Sequence, residues 1–236
     1  MMAGIGGTLS SATVGWGDGT FLDRLAPERA DALVGAGHRR RLARGDVLFV
    51  EGDLADRVAV VLAGRLKVAT ISSSGTDALL DMCGPGELIG EVSAFDGSPR
   101  TATVTAMERS EVAILSVRAF EQFLADHGDI AVALVRQLCQ RMRTSNDTRT
   151  RFGSDAVPTR LAGRLVSLFD EHGITEPDGT RRIGIALTQV ELAAWIGASR
   201  EAVAKALQQL RQQDIVTTAR RSITILDLDR LRDRAR

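Results

Sequence analysis

"GELIGEVSAFDGSPRTATVTA", Gly86 to Ala106, decides how the rest of the chain is read. Glu91 opens a short apolar run, Asp96-Gly97-Ser98-Pro99 reads as a tight turn, and Arg100 follows at once. From Thr101 to Ala106 apolar and polar residues alternate strictly, which is the period of a half-buried strand. A guanidinium presents its N–H donors as a planar fork that suits a phosphodiester. Backbone N–H groups of a short turn in "SAFDGSP" add donors for the same anion. Glu91 lies too near that anion to be a second phosphate ligand, but a carboxylate accepts hydrogen bonds from a sugar hydroxyl. Gly90 leaves room for close backbone approach. The stretch therefore reads as a pocket for a small anionic ribonucleotide, the bland alternative being a structural Glu–Arg ion pair.

Outward from this stretch, Leu42 to Leu115 has one texture: short apolar runs punctuated by glycine at 45, 52, 64, 75, 84, 86, 90 and 97. "VLFV", "RVAVVLAG", "RLKVATI", "ALLDMC", "TATVTA" and "EVAILS" are predicted strands, and their spacing suggests an antiparallel sandwich or barrel. Upstream, residues 21–40 read as one or two short helices, with Pro27 near a start. Downstream, Phe120, Phe123 and Leu124 mark a short helix, and a longer one runs from about Asp129 to Phe152. Its positions 131, 135, 138, 142, 145, 149 and 152 keep a 4-3-4-3 rhythm. Val135, Leu138 and Met142 fit a dimer seam and fit packing on the helix's own sheet equally well. "GSDAVP", 153–158, reads as a hinge.

Beyond the hinge, Thr159 to Glu171 is an amphipathic helix, and "EPDGTRRIGIAL" is a turn with a short strand. Thr188 followed by Glu191 is a capping box. A helix from there stops at Gly197, Ser199 caps the next, and the latter's apolar face is Val203, Ala206, Leu207 and Leu210. Helix, short glycine turn, helix and basic hairpin is the winged helix-turn-helix layout. Arg200, Glu201 and Lys205 share the exposed face of the second helix, where arginine or lysine suits guanine and glutamate suits the cytosine amine. Trp195 reads as core between the two helices.

Composition bounds the rest. The chain has 236 residues, 44% hydrophobic and 25% charged, with net charge zero. Charge is local: Arg181 to Ile225 carries seven bases against three acids, a net +4, which marks a basic C-terminal module. Cys83 and Cys139 form no CxxC, and His38, His127 and His172 have no paired ligand spacing, so no disulfide, metal, haem or iron–sulfur cluster is expected. "MMAGIGGTLSSATVGWGDGT" lacks a basic start and a long apolar core and reads as a loose tail rather than a signal peptide. With no run approaching a membrane span, the expectation is a soluble cytoplasmic protein.

Two stretches carry a family resemblance. "GELIGEVSAFDGSPRTATVTA" resembles the phosphate-binding cassette of cyclic-nucleotide-binding domains. "LTQVELAAWIGASREAVAKALQQL" resembles the helix-turn-helix of the cyclic AMP receptor protein (CRP/FNR) family of bacterial regulators, and the likeness spans roughly residues 20–228. The resemblance implies an α+β fold: an antiparallel, jelly-roll-like β-roll that binds cyclic nucleotide, a long dimerisation helix, and a C-terminal winged helix-turn-helix. The expected divisions are a tail over 1–20, the nucleotide domain over 21–128, dimer helix and hinge over 129–155, and the DNA-binding domain over 156–236. It implies that Gly90 and Glu91 meet the ribose, that Arg100 and Thr101 meet the cyclic phosphate, and that Val92 is a further ligand-binding residue. Thr101 is compatible with cyclic AMP or cyclic GMP, and Ser145 and Asn146 are placed against the base. On the DNA side it implies base reading by Arg200, Glu201 and Lys205, and phosphate contacts from Thr188, Ser199, Arg220 and Arg221. Lys205 stands where the family usually has arginine, and Val190 replaces a common polar residue, so no phosphate contact is assigned to Val190. The implied activity is that of a homodimeric, cyclic-AMP-responsive transcription regulator on TGTGA-like inverted repeats, with RNA polymerase as a further partner. The alternative is a relative that binds DNA constitutively or answers to cyclic GMP or another ligand. No nucleophile–base pair or metal set marks an enzyme.

Overall fold

The computed structural model describes residues 16–71, 77–154, 156–185, 187–219 and 221–236, the side chains of 77 and 144–154 excepted. The chain divides into two compact units, one of residues up to Thr70 plus Leu80–Met142, the other of Ile71–Leu79 plus Arg143–Arg236. No helix among the described residues is long and apolar enough to cross a membrane.

The first unit opens with α1 (Pro27–Ala36), which has proline in its first turn. Strands follow in order: β1 (His38–Leu42), β2 (Val47–Phe49), β3 (Arg57–Ala63), β4 (Leu66–Ile71), β5 (Asp77–Cys83) and β6 (Leu88–Ile89). Then come α2 (Glu91–Asp96), β7 (Thr103–Ala106), β8 (Ser110–Ser116), α3 (Val117–Asp126) and α4 (Gly128–Ser154), of which Ile71 in β4, 77–79 in β5 and α4 from Arg143 on count with the second unit. The strands form two antiparallel sheets, ordered β1-β8-β3-β6 and β2-β7-β4-β5. The six predicted strands are all present, with "TATVTA" shortened to Thr103–Ala106.

Both faces of the first sheet are covered. Val58, Val60, Ala113 and Leu115 point into a core with Leu33, Phe120, Ile130 and Leu134. Ala59, Val61, Val112 and Ile114 point the other way, into a core with Phe49, Leu66, Cys83 and Val104. A strand buried on both faces reads as a continuous apolar run, which is why "VAVV" and "VAIL" do not alternate. Trp16, placed in the N-terminal tail by sequence, packs partly buried against the first of these cores.

Residues 38–40, read as helical, instead belong to strand β1. "HRRRL" has no apolar alternation to announce a strand. It forms at the sheet edge, where its backbone pairs with β8 and Arg39 and Arg41 both reach Glu111, at 3.3 and 3.5 Å.

The second unit carries α5 (Val157–His172), β9 (Gly173–Thr175), β10 (Arg181–Ile183), α6 (Gln189–Ile196) and α7 (Arg200–Gln212). The hairpin β11 (Val216–Ala219) and β12 (Ser222–Ile225) and a final α8 (Leu228–Arg234) complete it. Its sheet is ordered β11-β12-β10-β9. The capping box at Thr188 and Glu191 is present, Gly197 ends α6 in the left-handed region at φ 59°, and Ser199 caps α7. Val203, Ala206, Leu207 and Leu210 are buried, as is Trp195, which lies under the Arg164 guanidinium at 3.3 Å.

Candidate functional site

The candidate site in the first unit grows from three charged residues near the start of α2. Glu91, the first residue of α2, is 1% exposed, and Arg100 is 4% exposed. Buried charge is costly unless partnered, so the partners matter.

Arg100 lies over the Phe49 ring, 3.9 Å from its centroid. It donates from Nη1 to the Gly90 carbonyl at 2.9 Å and from Nη2 to the Arg57 carbonyl. Among the described residues no carboxylate comes within ion-pair distance of it. Burial, with Arg57 nearby, pulls its pKa below the ordinary arginine value, against the attraction of Asp56, Glu91 and Asp53. Two of its five N–H groups serve carbonyls, so a held, cationic fork keeps donors in hand. Gly90 is required by this packing. Its φ is 87°, and a Cβ there would stand 2.7 Å from Arg100 Nη1 and 2.9 Å from Phe49 Cε2.

Glu91 has a partner that the sequence reading missed. Arg141, on α4, donates from Nη1 to Glu91 Oε1 at 2.7 Å and from Nη2 to the Leu88 carbonyl at 3.2 Å. Asp81 lies 3.6 Å from Nε, Glu87 4.0 Å from Nη2, and Cys83 Sγ 3.6 Å from Nη2. Burial works against the charged form of Arg141, but Cys83, Glu91, Asp81 and Glu87 together outweigh it and hold its pKa above the usual range. Burial, reinforced by Asp81 and opposed by Arg141, pushes the Cys83 thiol up. Gln137, one turn earlier, donates to the same Leu88 carbonyl at 3.1 Å. A signal for Arg141 did exist: it precedes Ser145 by one helical turn, on the same face.

The structure thus brings Gly90, Glu91 and Arg100 together and adds Arg141. Val92 is exposed on α2, and Thr101 is exposed just after Arg100. Ser145 and Asn146 are on α4, with side chains outside the described residues. On α4 itself Ile130, Ala133, Leu134 and Gln137 face the unit's own core. Val135 and Met142, by contrast, are 58% and 61% exposed, while Leu138 is partly buried on that core.

The second unit holds a separate candidate surface. Arg200, Glu201 and Lys205 are exposed along α7. Thr188 Oγ1 accepts from Glu191 N at 3.2 Å and donates to Glu191 Oε2 at 2.8 Å. Ser199 Oγ accepts from Ala202 N at 3.1 Å. The backbone N–H at Glu201, followed by the Ser199 hydroxyl and Arg200, holds the Glu201 carboxyl below the usual range. Both cap hydroxyls therefore already have carboxylate partners. A cleft of about 470 Å³ separates the start of α6, at Leu187, Thr188 and Gln189, from the hairpin at Thr218, Arg221 and Ser222. Arg221 turns the hairpin with φ 60°, and Arg220 lies outside the described residues. Among the described residues no group of His, Cys, Asp or Glu could hold a metal ion.

These two sites match two known modules. Residues 39–127 match the family model described as Cyclic nucleotide-binding domain, and residues 159–234 match the Crp-like helix-turn-helix domain. The chain is 34% identical over 193 residues to a CRP-like cAMP-activated global transcriptional regulator of Mycobacterium tuberculosis, covering 82% of this chain and 86% of that protein. It is 26% identical over 190 residues to the cAMP-activated global transcriptional regulator CRP of Escherichia coli, covering 80% and 89%. A CRP-family transcriptional regulator from Thermus thermophilus superposes with a TM-score of 0.71 at 26% identity, covering 83% and 96%. These relatives are transcription regulators, not enzymes. With a cyclic nucleotide-binding domain ahead of a DNA-binding helix-turn-helix, the chain belongs to the CRP/FNR family of transcription regulators.

Proposed function

We propose that this regulator is a homodimer that binds cyclic AMP and, in response, palindromic TGTGA-like DNA. One observation carries the nucleotide reading: Arg100 is buried, charged and held in place by Phe49 and two carbonyls, yet has no carboxylate at ion-pair distance among the described residues. A cyclic phosphate is the partner it lacks. Arg100 and Thr101 would take the phosphate, and Glu91, oriented by Arg141, the ribose 2′-OH. Gly90 would stand beside Glu91 at the ribose, Val92 would be a further ligand contact, and Ser145 and Asn146 would meet the base. The choice of cyclic AMP is supported by the names of the relatives at 34% and 26% identity.

The dimer is supported by the outward apolar residues of α4, Val135 and Met142, which expose large side chains on a helix whose other face is already buried. Two recognition helices about 34 Å apart would then enter successive major grooves. Arg200, Glu201 and Lys205 would read bases, and Ser199, Thr188, Arg220 and Arg221 would meet backbone. Glu201 must leave its helix-start contacts to reach a base. RNA polymerase is the natural onward partner of such a complex, and the cytoplasm its place of work. Nucleotide binding shifts the population toward the DNA-competent arrangement.

Calorimetry of the purified protein tests the reading. Wild type should bind cyclic AMP, and Arg100→Ala should weaken it by several kcal/mol with the fold intact. Equal binding by both proteins would sink the assignment of Arg100. No heat from wild type with any cyclic nucleotide would favour the constitutive regulator.

A further inference from the structure

Asp81 is a site residue that neither composition nor motif announced. It lies on β5 two positions from Cys83, and strand alternation puts both on one face. That face is the inner one, because Cys83 is buried in the core between the two sheets of the roll. Both residues touch Arg141, Asp81 Oδ2 at 3.6 Å from Nε and Cys83 Sγ at 3.6 Å from Nη2. Unlike Cys83, the Asp81 side chain is 43% exposed and open to a ligand.

The charged groups have an order. Arg100 Nη1 donates to the carbonyl of Gly90, the residue before Glu91, at 2.9 Å. Arg141 Nη1 holds Glu91 Oε1 at 2.7 Å, and its Nε lies 3.6 Å from Asp81 Oδ2. Glu91 thus stands between the two arginines, and Asp81 lies on the far side of Arg141. The sequence in space is Arg100, Glu91, Arg141, Asp81. A 3′,5′-cyclic nucleotide has the same linear order. Its phosphate is fused to one edge of the ribose, the 2′-OH follows, and C1′ next to it carries the base. With phosphate at Arg100 and 2′-OH at Glu91, the base leaves toward Asp81.

We propose that Asp81 reads the nucleobase, accepting hydrogen bonds from the donor edge of guanine and so extending the ligand range of this chain from cyclic AMP to cyclic GMP. The inference rests on the cyclic-nucleotide reading of the site. An ionised carboxylate only accepts. Guanine offers it two adjacent donors, N1–H and the N2 amine. Adenine offers the N6 amine beside N1, an acceptor that the carboxylate repels. Asp81 has capacity for this: Oδ1 accepts from Met82 N–H at 2.8 Å and Oδ2 faces Arg141, and each oxygen keeps a further lone pair. A bland role, anchoring Arg141, would serve any cyclic nucleotide alike.

The two roles part in one experiment. Full-length protein is titrated by calorimetry with cyclic AMP, cyclic GMP and cyclic IMP, as wild type and as Asp81→Asn. Asparagine keeps the shape but donates as well as accepts, which suits adenine. The ratio of cyclic GMP to cyclic AMP affinity should fall about tenfold or more in Asp81→Asn, on the scale of one bidentate base contact. Cyclic IMP, which keeps N1–H and lacks the N2 amine, should lose less. Asp81→Ser is the second variant should circular dichroism show that asparagine disturbs the fold. An equal loss for all three nucleotides would make Asp81 an anchor of Arg141 and overturn the inference. So would wild type that binds cyclic AMP but not cyclic GMP, with the nucleotide reading intact. Wild type that binds none of the three overturns both.

Discussion

Replacing Arg141 by methionine should destabilise the first unit by about 3 kcal/mol. The Arg141 side chain is 28% exposed, while the Glu91 carboxylate it holds at 2.7 Å is 1% exposed. Removing one partner of a buried pair costs about 3–5 kcal/mol, because the other charge stays buried and alone. Partial exposure of Arg141 puts the expectation at the low end of that range. Glu91→Gln together with Arg141→Met removes the stranded charge, so the double variant should recover about 1–2 kcal/mol. A chain with two units need not unfold in one step, so the reporter must belong to the right one. Trp16 packs in the first unit, and Trp195 is buried in the second. In a Trp195→Phe background, Trp16 fluorescence follows the first unit alone. With a urea slope of about 2 kcal/mol/M, the Arg141→Met midpoint should fall by roughly 1.5 M. An unchanged midpoint, or a double variant no better than the single, would refute the view that Arg141 neutralises Glu91.

Two further outcomes concern the dimer and the DNA. Val135→Asp or Met142→Asp should give monomers by light scattering and abolish binding to a palindromic site, because both side chains face outward; an unchanged mass would refute the seam. Leu138→Asp is the weaker test, since Leu138 already packs on its own core and its loss would disturb the fold as well. Arg200→Ala should cost about 1–3 kcal/mol and relax preference at one base pair, whereas Arg221→Ala should weaken all sequences alike and lower the salt slope by about one unit. Gel-shift titrations on matched and single-mismatch probes at two salt concentrations separate the two. A uniform loss for Arg200→Ala would misplace the recognition helix.

What could be read from sequence was local. Glu91, Gly90 and Arg100 share one short stretch, and the Thr188–Glu191 and Ser199 caps are set by neighbours within a turn. Asp81 was not legible, and Arg141 only as a residue one turn before Ser145, because their link to Glu91, ten and fifty residues away, runs through a strand and a helix that meet only in three dimensions. Strand β1 failed differently: four consecutive exposed basic residues carry no hydrophobic period, and pairing with β8 alone makes them a strand. The apolar rhythm of α4 was visible but ambiguous. Periodicity reveals a stripe and says nothing of what covers it. The structure separates Ile130, Ala133 and Leu134, turned to the core, from Val135 and Met142, turned out.

The most direct test is the affinity for a fluorescent duplex with inverted TGTGA-like half-sites, measured by anisotropy with and without cyclic AMP, for wild type and Arg100→Ala. Effector coupling of about 1–3 kcal/mol corresponds to roughly 5–150-fold. Cyclic AMP should tighten wild-type binding within that range and leave Arg100→Ala unchanged. Wild type that binds the duplex equally well with and without cyclic nucleotide would contradict a nucleotide-switched regulator.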